Sequence, residues 1–285
     1  MIKRVLLISL VLIVFPVLAA KPNVLFIAVD DLNDWIGCLE GHPQALTPNM
    51  DRLAKRGVLF TNSHCAAPAC NPSRAAVFSG FMPARTGVWS NQSTRIEKAM
   101  PKAVLLTHAF RNAGYQTLGT GKMLHGTVKN LFEEYYGVNQ RWSPFPKNVV
   151  RYTKAELPSK GTDNPSHLLK DSRGREVVLP NNRMPSDRKP NQADGESFDW
   201  GGFEVPDSDF GDTQITTWAI DRLKRGLGNE KPFFLGVGYY RPHIPLFAPQ
   251  KYFDRFKLTP GKLPPIRKDD LKDIGPAGRK WAIEA

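Results

Sequence analysis

Residues 23–29, NVLFIAV, form a continuous apolar stretch with three β-branched side chains, and Asp30 and Asp31 follow directly. Such a run is typical of a central strand of a parallel sheet, buried on both faces. Phe233–Tyr239 (FFLGVGY) is a second run of this kind, and Tyr115–Gly119 indicates a third strand. Because helical patterns lie between these strands, the sequence predicts an α/β fold, a mostly parallel central sheet flanked by helices.

Four segments carry helical patterns. The first has Thr47 as N-cap and Pro48 as first helical residue, and it ends at Gly57. After it, Val58–Thr61 is expected to form a short strand. The other helical segments are Ser73–Gly80, Pro101–Asn112 and Thr213–Leu227. Between about residues 143 and 212, Pro, Gly, Asn and charged residues predominate, which predicts a loop-rich insertion.

Residues 1–20 have the pattern of a secretory signal peptide. Lys3 and Arg4 precede an apolar run, Val5–Leu18, and two alanines follow it. The run is too short for a comfortable membrane span, although an uncleaved anchor is the alternative. We therefore expect a secreted or periplasmic protein with no stable membrane span, in which residues 21–285 form one domain that includes the insertion.

The composition limits the classes of partner. The chain has 285 residues, of which 41% are hydrophobic and 23% charged, as in ordinary globular proteins, so a fully disordered chain is excluded. Its formal net charge is +12, or +10 without Lys3 and Arg4, which suggests an anionic partner such as nucleic acid, acidic lipid or a sulfated or carboxylated polysaccharide. Lysine and arginine are dispersed, without a run of five or more, which argues against nucleic acid.

The chain has three cysteines, so at least one thiol is unpaired within the chain. Cys38 and Cys65 could form a disulfide or remain free. Cys70 is the candidate for the odd thiol, because it precedes Pro72 and Arg74 where a loop is expected to enter a helix. It could be a buried structural cysteine, or a thiolate activated by the helix N-terminus and the nearby arginine.

Polar side chains follow all three predicted strands. They are Asp30, Asp31, Lys122, His125 and His243. The carboxyl ends of parallel strands meet at one edge of a sheet, so these groups can converge with Cys70. Paired carboxylates suit a hard divalent cation, although a solvated acidic turn is the alternative, and lysine and histidine suit binding and proton transfer around an anion. Together they predict a site for an anionic tetrahedral group.

The residues around Cys70 also match a known signature. Cys70, Pro72, Ser73 and Arg74 fit the Cys-x-Pro-Ser-Arg motif of sulfatases. Four further stretches fit the same family in the same order: VDDLND from Val29, TPNMDR from Thr47, GKMLH from Gly121 and RPHIPL from Arg241. Over about residues 23–260 the sequence resembles the sulfatase family, most of all its iduronate-2-sulfatase branch.

The resemblance implies an alkaline-phosphatase-like fold and a sulfuric ester hydrolase acting on a sulfated sugar or glycosaminoglycan-type polysaccharide. It implies that a formylglycine-generating maturase oxidises Cys70 to formylglycine, whose hydrate attacks sulfur in covalent catalysis. By position, Asp30, Asp31 and the modified Cys70 would bind Ca²⁺.

The resemblance also assigns the remaining site residues. Arg74 would hold the diol and the ligand geometry, and Lys122 would bind oxygens of the sulfate or the diol. His125 would be the base that triggers sulfate release, while His243 would contact sulfate and assist the leaving group.

Two other functions stay open at this point. The same cationic site could hydrolyse a phosphoester or a phosphonate. Alternatively, the chain could be an inactive, truncated binder of anionic glycans, since the later Asp-His or Asp-Asn pair of the family does not follow His243 and only Asp163–Asn164, within the insertion, has that spelling. We therefore expect an N-terminal fragment of a sulfatase, in which residues 21–285 form a partial N-terminal catalytic domain.

Overall fold

The computed structural model describes residues 20–126, 130–138, 150–151, 166–171, 176–180, 200–256, 268–269 and 271–284. All of the expected signal peptide except Ala20, and most of the expected insertion, lie outside these ranges. The strands are β1 (Val24–Val29), β2 (Gln116–Gly121), β3 (Glu134–Tyr136), β4 (Val150–Arg151), β5 (Ser166–Asp171), β6 (Glu176–Pro180), β7 (Trp200–Phe203), β8 (Phe233–Tyr239) and β9 (Leu246–Pro249). The helices are α1 (Pro48–Ala54), α2 (Cys70–Ser79), α3 (Pro83–Thr86), α4 (Ile96–Ala99), α5 (Leu106–Asn112), α6 (Gly211–Lys224), α7 (Gln250–Phe253) and α8 (Pro276–Glu284).

The main sheet has the strand order β1-β8-β2-β3, and every pairing in it is parallel. Val24 pairs with Phe234 and Val29 with Tyr239, so β1 and β8 end side by side. Gly121 at the end of β2 pairs with Gly238, which places a third strand end beside them. The predicted α/β fold with a parallel sheet is confirmed, and its carboxyl edge gathers three strand exits.

Each face of this sheet carries its own apolar core. On one face, Phe78 of α2 and Phe110 of α5 pack with Phe234 of β8, and the Phe110 and Phe234 rings stack 4.4 Å apart. On the other face, Ile215 of α6 is fully buried against a cluster that includes Leu235. Because α2 is held on the sheet by this packing, its first residue lies at the edge where the strands end.

Two strand predictions are wrong in the described chain. β1 is the first strand of its sheet rather than a central one, and Leu25 and Ile27 are 48% and 49% exposed because α6 covers β8 and β2. Residues 58–61 form no strand. Val58 is 80% exposed and Phe60 75%, so this segment has the composition of a strand without a neighbouring strand among the described residues.

The helix predictions differ from the structure at their ends. α2 begins at Cys70 instead of Ser73, and α5 begins only at Leu106 because a turn occupies the residues after Met100. Thr47 makes no capping hydrogen bond to α1; its hydroxyl accepts the Gly37 N–H at 2.8 Å and bonds the Asp51 carboxylate.

The loop-rich insertion contains more regular structure than predicted. β4, β5 and β6 form an antiparallel three-stranded sheet within it. Its last part, from Trp200, is β7, which pairs in parallel with β9 and buries Phe203. Since α6 begins at Gly211, the boundary predicted near residue 212 falls inside a helix.

Candidate active site

A cavity of about 640 Å³ lies where α2 begins and the strands end. Its lining includes Asp30, Asp31, Cys70, Arg74 and His243. Residues that are up to 213 positions apart in sequence, Asp30 and His243, therefore border one space. The structure brings together most of the residues that the sequence singled out.

Asp30 is the centre of the charged network. Arg74 donates from Nη2 to Asp30 Oδ1 at 2.7 Å, and the Lys122 ammonium donates to Oδ2. All three side chains are buried. Burial would raise the pKa of the Asp30 carboxyl, but the charges of Arg74 and Lys122 outweigh it and hold that pKa below its usual value. Asp30 is therefore a fixed negative charge at neutral pH.

Cys70 is the first residue of α2 and lies beside this network. Its Sγ is 3.9 Å from Asp30 Oδ2 and 3.4 Å from Lys122 Nζ. The helix N-terminus adds partial positive charge at the same place. The group carried by this residue thus lies in positive surroundings, beside one carboxylate.

Asn71, the next residue, anchors the start of α2. Its backbone N–H donates to Asn91 Oδ1 at 2.9 Å, and its side-chain amide donates to the carbonyls of Ser90 and Ser93, both at 3.0 Å. Asn71 is only 4% exposed. These bonds hold the loop around residue 91 against the helix and thereby form one wall of the cavity, which Asn91 lines.

Arg74 also ties α2 to the exit of β2. Besides its bond to Asp30, Nη1 donates to the carbonyls of Lys122 and Met123, the latter at 3.1 Å. An arginine can do this because its planar fork presents several donors at once. The positions of α2 and of the Lys122 backbone are therefore coupled through one side chain.

Two glycines let Lys122 reach the site. Gly121 has φ +70°, and a Cβ there would lie 2.0 Å from the Gly238 carbonyl oxygen. A Cβ on Gly238 would lie 2.1 Å from the Lys122 carbonyl oxygen. The Lys122 N–H donates to the Gly238 carbonyl at 2.8 Å, so the ends of β2 and β8 approach more closely than side chains would permit.

His243 is held as a neutral ring. It is 3% exposed, and Nδ1 lies 2.5 Å from the Ile244 carbonyl oxygen. Because a carbonyl only accepts, Nδ1 carries the proton and Nε2 keeps a lone pair. Burial, and then the charge of Lys122, lower the pKa of His243, so the ring stays neutral near pH 7.

Sequence reasoning missed the carboxylate that holds the His243 segment. Asp212, in the first turn of α6, accepts the backbone N–H groups of Tyr240 and Arg241, both at 3.0 Å. The Arg241 guanidinium donates onward to the His243 carbonyl at 3.2 Å. Burial lowers the pKa of Arg241 to about 10 against the opposing charge of Asp212. Acidic residues are common in first helical turns, so the sequence offers no signal for this contact.

Asp31 and His125 occupy different positions from the network. Asp31 borders the cavity, but it is exposed and has a left-handed backbone with φ 59°. His125 is buried and is absent from the cavity lining. Among the described residues, the potential ligand atoms that lie within 4.8 Å of one another belong to Asp30, Cys70 and His243.

The suitability of this site for Ca²⁺ depends on the ligand atoms that its residues offer. Ca²⁺ takes six to eight oxygen ligands, and the cluster around Asp30 offers a carboxylate, a sulfur and an imidazole nitrogen. Asp31 adds a second carboxylate at the cavity wall, and replacement of the Cys70 thiol by an oxygen-bearing group would supply a further oxygen. The residues therefore fit a hard divalent cation once Cys70 is modified.

Two other sequence expectations can be compared with the structure. Cys38, Cys65 and Cys70 are all free thiols. No helix in the described ranges combines the length and apolar character needed to cross a membrane.

Comparison with known proteins places the chain. The sequence pattern of the sulfatase family matches residues 22–263. A sulfatase of Formosa agariphila is 35% identical over 266 residues, which cover 91% of this chain and 46% of that protein. The iduronate 2-sulfatase of Mus musculus is 27% identical over 263 residues, 88% of this chain and 42% of its own length.

A solved structure described as a complex with its substrate D-glucosamine-2-N,6-O-disulfate superposes with a TM-score of 0.55 at 20% identity, over 91% of this chain and 42% of the other. That likeness concerns the fold. The chain spans less than half the length of these relatives and corresponds to their N-terminal part. Since the family pattern extends over most of its residues, the chain belongs to the sulfatase family.

Proposed function

We propose that this chain carries the nucleophile half of a sulfuric ester hydrolase that removes sulfate from a sulfated sugar, with formylglycine at position 70 and a divalent cation. The observation that carries the proposal is the convergence of Cys70, Asp30 and Arg74 at one cavity, with the Lys122 ammonium bonded to Asp30 and 3.4 Å from the Cys70 sulfur. A carboxylate with two buried cations beside a nucleophile position suits an anionic group that needs both binding and attack.

The position of each side chain indicates its role in the proposed reaction. Lys122 lies 3.4 Å from the sulfur of Cys70, so its ammonium can bind oxygens of the sulfate or of the modified residue. Arg74 holds Asp30 and the Lys122 backbone in place. As formylglycine, residue 70 would supply a hydrated aldehyde hydroxyl as nucleophile, and the cation held by Asp30 and Asp31 would supply charge that stabilises the sulfate oxygens.

His243 and His125 are the proton-transfer candidates. His243 lines the cavity, and once its Nε2 is protonated the ring can donate a hydrogen bond to a sulfate oxygen and a proton to the leaving alcohol. His125 follows β2 and is buried. We assign to His125 the role of the base that triggers sulfate release. Because His125 lies outside the cavity lining, a water molecule or a rearrangement must connect its ring to residue 70.

A sulfated uronate is the substrate class that we favour. The support is the name of the mouse relative, iduronate 2-sulfatase, together with the net positive charge of the chain, which suits an acidic polysaccharide. We also propose secretion or periplasmic export through residues 1–20. Amino-terminal sequencing of the protein from its host would test this, because a mature chain that retains residue 1 contradicts it.

Peptide mass spectrometry after co-expression with a formylglycine-generating maturase tests the chemistry. We expect an aldehyde at position 70 and a thiol at Cys65, the exposed cysteine five residues earlier, which serves as the internal control. The modified chain is then assayed with aryl sulfate and aryl phosphate. Unmodified Cys70 would contradict the nucleophile assignment, and a clear preference for phosphate would favour the phosphoester or phosphonate hydrolase alternative.

A further inference from the structure

Two of the three free thiols line the same cavity. Cys65 and Cys70 both border the active-site cavity of about 640 Å³, and so do Ala67, Pro68 and Ala69 between them. Cys65 is exposed and Cys70 is half-buried. A small molecule from solvent can therefore reach the wall of the cavity that carries both cysteines.

The third cysteine lies elsewhere. Cys38 is part of a short 3₁₀ helix, Gly37–Leu39, and its backbone N–H donates to Asp51 Oδ1 at 2.9 Å. It borders a separate cavity of about 430 Å³. Three cysteines allow three pairings, and the shared cavity favours Cys65 with Cys70 over the pairing of Cys38 with Cys65 that the sequence left open.

The Cys70 end of this pair is firmly held. Cys70 is the first residue of α2, and Asn71 beside it makes three hydrogen bonds to the loop at residues 90–93. The Lys122 ammonium lies 3.4 Å from Cys70 Sγ. From there it can stabilise negative charge on this sulfur when the sulfur attacks or leaves in an exchange reaction. We therefore expect Cys70 to be the first thiol to react.

The Cys65 end is held less firmly. Residues 66–69 form a series of bends, and no backbone–backbone hydrogen bond joins residues 62–68 to any other part of the described chain. A segment with so few backbone hydrogen bonds opens at low cost in free energy. Because the linking segment is short, the effective concentration of one thiol at the other is high. Movement of this segment can therefore carry Cys65 to the fixed sulfur of Cys70.

We propose that Cys65 is a resolving thiol for Cys70, and that the folded, unmodified chain closes a Cys65–Cys70 disulfide when it meets a low-molecular-weight disulfide. First, the Cys70 thiolate attacks one sulfur of the reagent, which leaves a mixed disulfide at residue 70 and releases one reagent thiolate. The Cys65 thiolate then attacks the Cys70 sulfur and releases the second reagent thiolate. The reagent takes up two electrons from the protein and, with the two protons of the cysteines, becomes two thiols.

A closed chain holds residue 70 in a reversible form. The disulfide protects this sulfur from irreversible oxidation to the sulfinic or sulfonic acid, and a reducing thiol can reopen it. While it is closed, position 70 offers no thiol that a maturase could convert to formylglycine. This last consequence rests on the proposed function, whereas formation of the disulfide does not.

Peptide mass spectrometry tests the pair. Residues 20–285, folded and fully reduced, are incubated with glutathione disulfide, alkylated to trap the remaining thiols, and digested with trypsin without reductant. Cleavage after arginine places Cys65 and Cys70 in one peptide, residues 57–74, and Cys38 in another, residues 20–52. We expect the first peptide to lose two hydrogen atoms and to carry no alkyl group, while Cys38 is alkylated.

Two matched serine variants separate the roles of the thiols. Cys65→Ser removes the resolving thiol, so the reaction should stop at the mixed disulfide. The fraction of chains with glutathione on residue 70 should then rise by at least about tenfold. Cys38→Ser is the control and should close the disulfide as the wild type does. The circular dichroism of both variants reports whether they fold.

Three results would overturn the proposal. One is a wild-type chain whose residue 70 stays a free thiol, or keeps glutathione to the same extent as in Cys65→Ser. Another is a disulfide that joins Cys38 to either of the other cysteines. The third is a pair of chains cross-linked through Cys65. None of these readouts uses a maturase, a metal ion or hydrolysis, so the proposed function and the disulfide fail separately.

Discussion

Replacement of Asp212 by alanine removes the carboxylate that joins α6 to the segment carrying His243. The side chain accepts two backbone N–H groups at 3.0 Å each. A hydrogen bond to a charged group contributes about 1.5–3 kcal/mol, and loss of both also leaves two donors and the Arg241 charge with less compensation. Because Asp212 is half-buried rather than fully buried, we take the lower value, about 1.5 kcal/mol, for each of the two bonds. The free energy of unfolding should therefore fall by about 3 kcal/mol.

Two further variants calibrate this number. Asp212→Asn keeps one acceptor oxygen and loses the charge, so we expect about half of the effect. Asp221→Ala on the same helix removes surface pairs with Arg225 at 2.9 Å and with Arg222 at 3.5 Å, and is expected to cost about 0.3–0.5 kcal/mol for each at most. The free energies come from urea unfolding of residues 20–285 followed by circular dichroism.

Hydrogen exchange shows where Asp212→Ala acts. We expect faster exchange in residues 239–244, while residues 24–29 keep their wild-type rate. The reasoning is refuted if Asp212→Ala costs no more than Asp221→Ala. It is also refuted if stability falls but residues 239–244 exchange as before, because Asp212 would then act elsewhere.

Three further predictions concern the site itself. The unmodified chain should bind Zn²⁺ more tightly than Ca²⁺ because thiolate and imidazole suit zinc, and calorimetry should show Zn²⁺ affinity falling in Cys70→Ser; equal affinities would contradict this. Gly238→Ala should cost about 1–3 kcal/mol in urea unfolding because its Cβ meets the Lys122 carbonyl, and a wild-type midpoint would contradict the close approach. The folded pKa of His243 lies below its value in the unfolded chain, so stability present above pH 6.5 is lost as pH falls through the folded pKa; His243→Gln should flatten that slope, and an unchanged slope would exclude it as the source.

The sequence predicted those parts of the fold that depend on local composition. The predicted bounds of the strand Phe233–Tyr239 agree with the structure at both ends, because seven apolar residues between polar turns allow few alternatives. The convergence of Asp30, Cys70, Lys122 and His243 at one sheet edge also followed from the strand pattern, since parallel strands end together.

Features that depend on distant partners could not be predicted. The sequence NVLFIAV is compatible with a central strand and with an edge strand. Whether Leu25 and Ile27 are covered depends on the elements that pack beside the strand. Similarly, Asp212 binds residues 28 and 29 positions later in sequence, and nothing near it in the chain indicates that contact. Val58–Thr61 has strand composition but no strand beside it among the described residues, so propensity alone did not produce one.

If Cys70 is oxidised as proposed, the burial around it limits when that oxidation can occur. Pro72 is buried, Arg74 is 9% exposed, and Asn71 is fixed by three hydrogen bonds to the loop beside it. An oxidising enzyme that recognised these buried side chains would have to bind them before α2 packs on the sheet. Maturation and folding would therefore compete in time, and a molecule that folds first would keep its thiol.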